Sequence, residues 1–171
     1  MVLLKMRRKV FARRGMRAQS LTELAAALAL LVPVLLVVID LCILGTGAAL
    51  NDVVCRDAAR AAASGPPGDA TLATNRDVVP GKAPYQRAIA VIERIYHSNL
   101  PVKVRDDMKI IETVRDVPPP PYRGSVDGEV SVETTVDIYP PFLVGAIMGA
   151  VVGDGGVAVK SKHVVPFTYT F

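Results

Sequence analysis

The sequence predicts an α+β protein carried on a stem: a long N-terminal transmembrane helix, then a second helix packed with a small antiparallel β-sheet of about three strands. Three observations predict it. Residues 24–39 are sixteen positions without a charge and 41–50 add ten more, which together exceed the roughly 20 apolar residues that a membrane span requires. Helix-favouring residues continue beyond that run to a Gly-Pro-Pro stop at 65–67. The C-terminal half contains stretches in which apolar and polar residues alternate, the period of a half-buried strand.

These features divide the 171 residues into a basic leader over 1–18, a transmembrane and stalk helix over 19–64, a linker loop over 65–83 and an extracytoplasmic α+β domain over 84–171. Seven of the twenty Lys and Arg (Lys5, Arg7, Arg8, Lys9, Arg13, Arg14, Arg17) lie in the leader with no acid among them. The remaining thirteen bases face sixteen acids, a formal −3, so the basic pI near 9.2 belongs to the leader. The later bases are interleaved with acids and form no stripe, which argues against a nucleic-acid partner. A basic flank before an apolar run instead keeps the N-terminus cytoplasmic by the positive-inside rule, with everything after the run outside.

Within the apolar run, Pro33 is expected to kink or locally free the helix backbone, which membrane helices tolerate, and the small residues at 45–49 permit close helix approach. Above it, Asp52 with Arg56 and Asp57 with Arg60 have helical pair spacing. A helix over about 20–64 would be close to 66 Å long. The linker at 65–83 is marked by three Gly and three Pro. Pro84 then opens a second helix, with Tyr85, Ala88, Ile89, Ile92, Ile95 and Tyr96 at helical spacing as its core stripe.

Residues 109–117 are expected to form a strand, though Ile110 and Ile111 break the alternation. Val130, Val132, Val136 and Ile138 share one face of a cleaner strand, and Val157, Val159, Val165, Phe167 and Tyr169 one face of the last. The four prolines at 118–121 predict a stiff extended connection. Residues 139–156 are too apolar for an ordinary loop. They are expected to fold inward as a short helix that fills the core, the alternative being an exposed patch for a partner or the membrane surface.

Two acids bracket the membrane run. Glu23 stands at its mouth and Asp40 seventeen residues on, about 25 Å along a helix, so the pair would lie near opposite faces of a hydrocarbon core about 30 Å thick. An acid at that depth is costly unless paired. In the first helical turn it also complements the helix dipole. Asp40 either snorkels to the outer headgroups or makes an intramembrane contact with a partner helix.

The order of basic leader, short polar stretch, glutamate and long apolar helix resembles that of type IV pilin-like proteins, and "AQSLTE" resembles a prepilin peptidase site. Residues 13–65 are most similar to the TadE-like family of bacterial tight-adherence (Tad) pilus pseudopilins. The similarity rests on "RRG" before the site, Gln19 with Glu23 four later, "LVP" at 31–33, the acid in "VVID" and "DAARAAASG" at 57–65. It implies cleavage between Ala18 and Gln19, which puts Glu23 at the fifth position. Ala18 stands where glycine is usual, but cutting after Gly15 would put Glu23 at position eight. The resemblance further implies that Glu23 of one subunit meets the new α-amine of a neighbour and sets register during assembly. The expected partners are the membrane, prepilin peptidase and other pilin or pseudopilin subunits with their assembly machinery.

No enzyme is expected. No nucleophile elbow, phosphate loop or metal-ligand spacing appears, so neither a cofactor nor a metal is anticipated. His97 lies near a helix end, and His163 on the apolar face of the last strand reads as a core histidine. Cys42 and Cys55, about 19 Å apart on one helix, cannot bridge within it. They read as small buried residues, with an intersubunit disulfide from Cys55 as the lesser possibility. The reading is a non-enzymatic assembly component of a Tad-like pilus; the alternative is a bitopic membrane-anchored binding or sensor module.

Overall fold

The computed structural model describes residues 2–68, 73–78, 80–96, 101–115, 124–153 and 156–170, with the backbone alone for 2–19, 73–76 and 152. His97 and the prolines at 118–121 lie outside the described residues. Helix α1 runs over Val2–Ala63, 62 residues, or about 93 Å. It therefore starts far upstream of the expected position near Ser20 and passes through the Ala18–Gln19 junction without a break. The leader is rich in Arg, Lys, Leu, Met and Ala, all strong helix formers, and a lone Gly15 costs only about 1 kcal/mol in a helix. The chain also remains helical through Pro33.

At its other end α1 is closed by a side chain from elsewhere. Arg87 Nε donates to Ala61 O at 3.0 Å, and Nη2 donates to Ala62 O at 2.6 Å and Pro66 O at 3.2 Å. A guanidinium there satisfies carbonyls that have no partner within the helix and complements the negative end of its dipole. Desolvation lowers the Arg87 pKa, and the charge of Glu112 opposes that shift.

The remaining elements are β1 (Ala73–Asp77), α2 (Ala83–Tyr96), β2 (Val102–Val104), β3 (Lys109–Arg115), β4 (Ser125–Ile138), α3 (Leu143–Val152) and β5 (Val157–Thr170). The fold is α+β with a long N-terminal helix, as expected, but the sheet is larger than three strands. All its pairs are antiparallel. β5 pairs with β4 along all fourteen residues, from Ser125↔Thr170 to Ile138↔Val157, so β2 and β3 must share the other edge of β4 end to end. β3 takes 127–133 of β4 and β2 takes 136–138. β1 adds to β3, which makes the sheet four strands across.

β1 falls inside the stretch expected to be a linker loop. Its sequence, ATNRD, has no apolar alternation, and it is a strand because the free edge of β3 offers backbone partners. Between β2 and β3 the chain is pinned by Arg105: its backbone N–H donates to Thr135 O at 3.0 Å, and its guanidinium makes a two-pronged contact with the Asp137 carboxylate at 2.7 Å on each oxygen. Gly128 is required where it stands, because a Cβ there would strike the Thr113 carbonyl and come 2.6 Å from the Phe167 ring that covers it.

The core lies where the upper half of α1 and α2 cross the inner face of the sheet. Val54, Cys55, Ala58, Ala59 and Ala62 of α1 meet Ala88 and Ile92 of α2, with Ile110, Val114, Val126, Val130, Val132 and Phe167 from the strands. Alanines on α1 let helix and sheet approach closely. The inward residues of β4 and β5 are those that the alternation selected, and in β3 the inward set is Ile110, Glu112 and Val114. Glu112 is the unexpected member; its carboxylate accepts the Gly68 N–H at 3.1 Å.

One polar cluster crosses this core. Asn51, fully buried, donates from Nδ2 to Val159 O at 3.1 Å and accepts at Oδ1 from Thr134 Oγ1 at 2.9 Å and from Tyr96 at 3.4 Å. Burial, followed by the proximity of Cys55, pushes the Tyr96 pKa up from 10.0 to about 12. Ionised tyrosine is disfavoured in the native state, so the unfolded chain releases a proton that the native chain retains. Stability should be intact below pH 10 and should fall as pH rises from there to about 12. Tyr96→Phe removes this contribution, so denaturation of the detergent-solubilised protein should show the gap between wild type and variant shifting in the variant's favour across that window.

Candidate membrane anchor and assembly surface

Among the described residues, one helix is long and apolar enough to cross a membrane. From Ser20 to Leu35 every residue of α1 is exposed, whereas Asp40 is fully buried. Residues 20–35 thus stand clear of the folded domain over about 24 Å, and with the partly covered turn at 36–39 the segment reaches about 30 Å, the thickness of a hydrocarbon core. Leu21, Leu24, Leu28, Leu30 and Leu31, each about half exposed or more, would have to be covered by lipid or protein, since water around so large an apolar surface is unfavourable. Glu23 lies on this bare segment and is itself exposed. The Ala18–Gln19 junction is helical backbone.

Asp40 marks where the bare segment ends. Its Oδ1 accepts the Phe142 N–H at 3.1 Å and its Oδ2 the Val144 N–H at 2.8 Å, so the carboxylate caps the first turn of α3, whose donors have no partner within that helix. This differs from both expectations. A fully buried carboxylate does not snorkel, and the helix it contacts is one from its own chain. Sequence could not show this because the partners are backbone groups more than a hundred residues away. α3 itself corrects the expectation for 139–156: Phe142, Ile147 and Val151 are 41, 61 and 78 % exposed, so the segment lies on the surface and does not fill the core.

The small residues at 45–49 divide by role. A Cβ on Gly47 would come 2.6 Å from Ile138 Cδ1, so this glycine lets α1 reach the end of β4; Gly45 faces open space. Beside them an apolar groove of about 340 Å³ is lined by Val38, Ile39, Cys42, Ile43, Thr46, Gly47 and Leu50 of α1 with Pro101 and Val102. Cys42 is exposed here, contrary to expectation, while Cys55 is buried, its sulfur 3.2 Å from Val132 O. Burial of Cys55 disfavours an intersubunit disulfide at that position.

His163 is also not a core residue. Its Nε2 lies 2.8 Å from Asp52 Oδ1, which accepts from Ser161 Oγ as well, at 3.0 Å. These two bonds, the histidine's first, lower the Asp52 pKa. Serine and histidine both address the carboxylate, so the hydroxyl is not held against an imidazole nitrogen as acyl transfer would require. The trio instead fastens β5 to the outer flank of α1. Among the described residues no group of three or more His, Cys, Asp or Glu could hold a metal ion. A second cavity, about 260 Å³ between α2 and β2, is smaller than the usual range for ligand pockets, and the Arg105 on its wall is committed to Asp137.

Sequence reasoning missed Asn51, Arg87 and Glu112. Only Asn51 left a signal: it is an amide inside a helical face that is otherwise apolar. Comparison with known proteins finds no matching family model, curated protein or solved structure.

Proposed function

We propose that the chain is a TadE-like pseudopilin: a non-enzymatic subunit, processed by prepilin peptidase and held in the cytoplasmic membrane, that joins or primes a Tad-like pilus. The observation that carries this reading is the division of α1 into an apolar half, bare over 20–35 and partly covered over 36–39, and an upper half buried in a small α+β domain. A subunit of that shape can be stored in lipid and transferred to a helical bundle without refolding, because protein replaces lipid around the same surface. The basic leader sets the N-terminus in the cytoplasm and the domain outside.

Two further features support assembly. Glu23 lies on the exposed apolar part of α1, where the family resemblance implies the register role. The apolar groove along residues 38–50 offers a seat for an adjacent subunit's helix beside small side chains. A bitopic sensor would share the anchor but would need neither a processed leader nor Glu23. Deleting the gene in its host tests the proposal: loss of surface filaments, restored by the gene in trans, is expected, and unchanged piliation would reject it.

A further inference from the structure

The loop joining β4 to β5 carries a helix whose chemistry suits neither water nor a protein core. α3 has the sequence LVGAIMGAVV, ten residues with no charged side chain. Val144, Gly145, Met148 and Gly149 are half-buried on its inner side, while Ile147 and Val151 point outward and are 61 and 78 % exposed. Such a contiguous apolar patch marks an interaction surface.

Its position and its closed ends identify the occupant. Asp40 fastens the start of α3 to α1 one turn above the point at which its bare segment begins, and α3 packs on α1 there. Only that one turn of α1, with Leu36, Val37 and Ile39 half-buried, is partly covered before the helix becomes fully bare. In a bilayer an unpaired backbone N–H or C=O is costly, and groups at both ends of α3 have partners. Both Asp40 oxygens take N-terminal donors, and Gly153, at φ 88°, turns its N–H back to Gly149 O. Gly145 allows the tight start, since a Cβ there would strike the Pro140 carbonyl. Phe142, 41 % exposed, adds an apolar ring to this surface, a residue type that interfacial helices carry on their buried face.

We infer that α3 inserts its outer face into the headgroup–acyl boundary of the same bilayer that α1 crosses, as a second, interfacial contact with lipid. Interfacial helices bury their apolar side by roughly 5–10 Å. Attachment at two points fixes the rotation of the domain about α1, so a stored subunit presents one defined side to its neighbours. This inference rests on the reading of α1 as a membrane span.

The test introduces Ile147→Cys, Val151→Cys, Leu30→Cys or Thr168→Cys, one at a time, into a full-length Cys42→Ser chain, whose remaining Cys55 is buried. Each is labelled with an environment-sensitive nitrobenzoxadiazole and reconstituted in phosphatidylethanolamine–phosphatidylglycerol vesicles containing nitroxide lipids of shallow or deep placement. Labels at Ile147 and Val151 should shift to the blue and lose most of their emission to shallow nitroxides; Leu30 should lose it to deep ones and Thr168 to neither. Quenching at Leu30 without quenching at Ile147 and Val151 overturns the inference while leaving the span intact. A blue shift at those two sites without lipid quenching also overturns it, because it assigns the face to a second copy of the chain. Absence of quenching at Leu30 overturns the span and the inference with it.

Discussion

Glu23→Ala should abolish filament assembly while leaving the subunit inserted in the membrane and processed. The carboxylate lies on the bare half of α1, one helical turn beyond the α-amine that cleavage before Gln19 would create. In lipid each of these charges is unfavourable alone, and a subunit docked with the correct axial offset lets the carboxylate of one meet the amine of the next. A charge-assisted hydrogen bond of this kind is worth about 1.5–3 kcal/mol, a factor of roughly ten to a hundred in the affinity of each added subunit. Repeated along a growing filament, that loss stops assembly. Insertion should persist because the apolar run is untouched and removing an acid makes it more apolar. Membrane fractionation together with filament counts checks both halves, and normal piliation in the variant would contradict the register argument.

Asn51→Ala should lower the stability of the domain by about 2–4 kcal/mol, since Thr134 and Val159 would each lose a partner in a buried setting. Asn51 sits where α1, α2, β4 and β5 converge, and its amide is the polar link among all four. Unsatisfied partners cost more than the net worth of the bonds themselves. The double variant Asn51→Ala, Thr134→Val should therefore recover part of the loss, even though it removes one more polar group. Thermal or denaturant unfolding in detergent measures it; equal stability for wild type and Asn51→Ala would show that the cluster contributes nothing.

The parts of this fold that sequence revealed are those governed by one local period. The apolar faces of β4, β5 and α2 follow from spacings of 2 and 3.6, and each makes its contacts with the residues that the spacing selects. β1 and β2 escaped because a five-residue polar strand and a three-residue strand exist only through the edges that receive them. α3 stands out in the sequence as too apolar for a loop, and its composition fits a core; its exposure follows from the attachment to Asp40. Alternation likewise put His163 on the inner face of its strand but could not reveal that Asp52 waits at the rim of that face. Of the candidate site, Glu23, Asp40 and the membrane run were legible as chemistry out of place in lipid. What each acid pairs with was not, because that is a property of three-dimensional neighbours.

Processing as a pseudopilin is decided by the amino terminus and intact mass of the membrane-bound protein from its host, measured with and without the prepilin peptidase. The chain should start at Gln19 only when the peptidase is present and retain the full leader when it is absent. A chain that starts at Met1 in both strains, or one cut beyond Ala48 and released from the membrane, would contradict it.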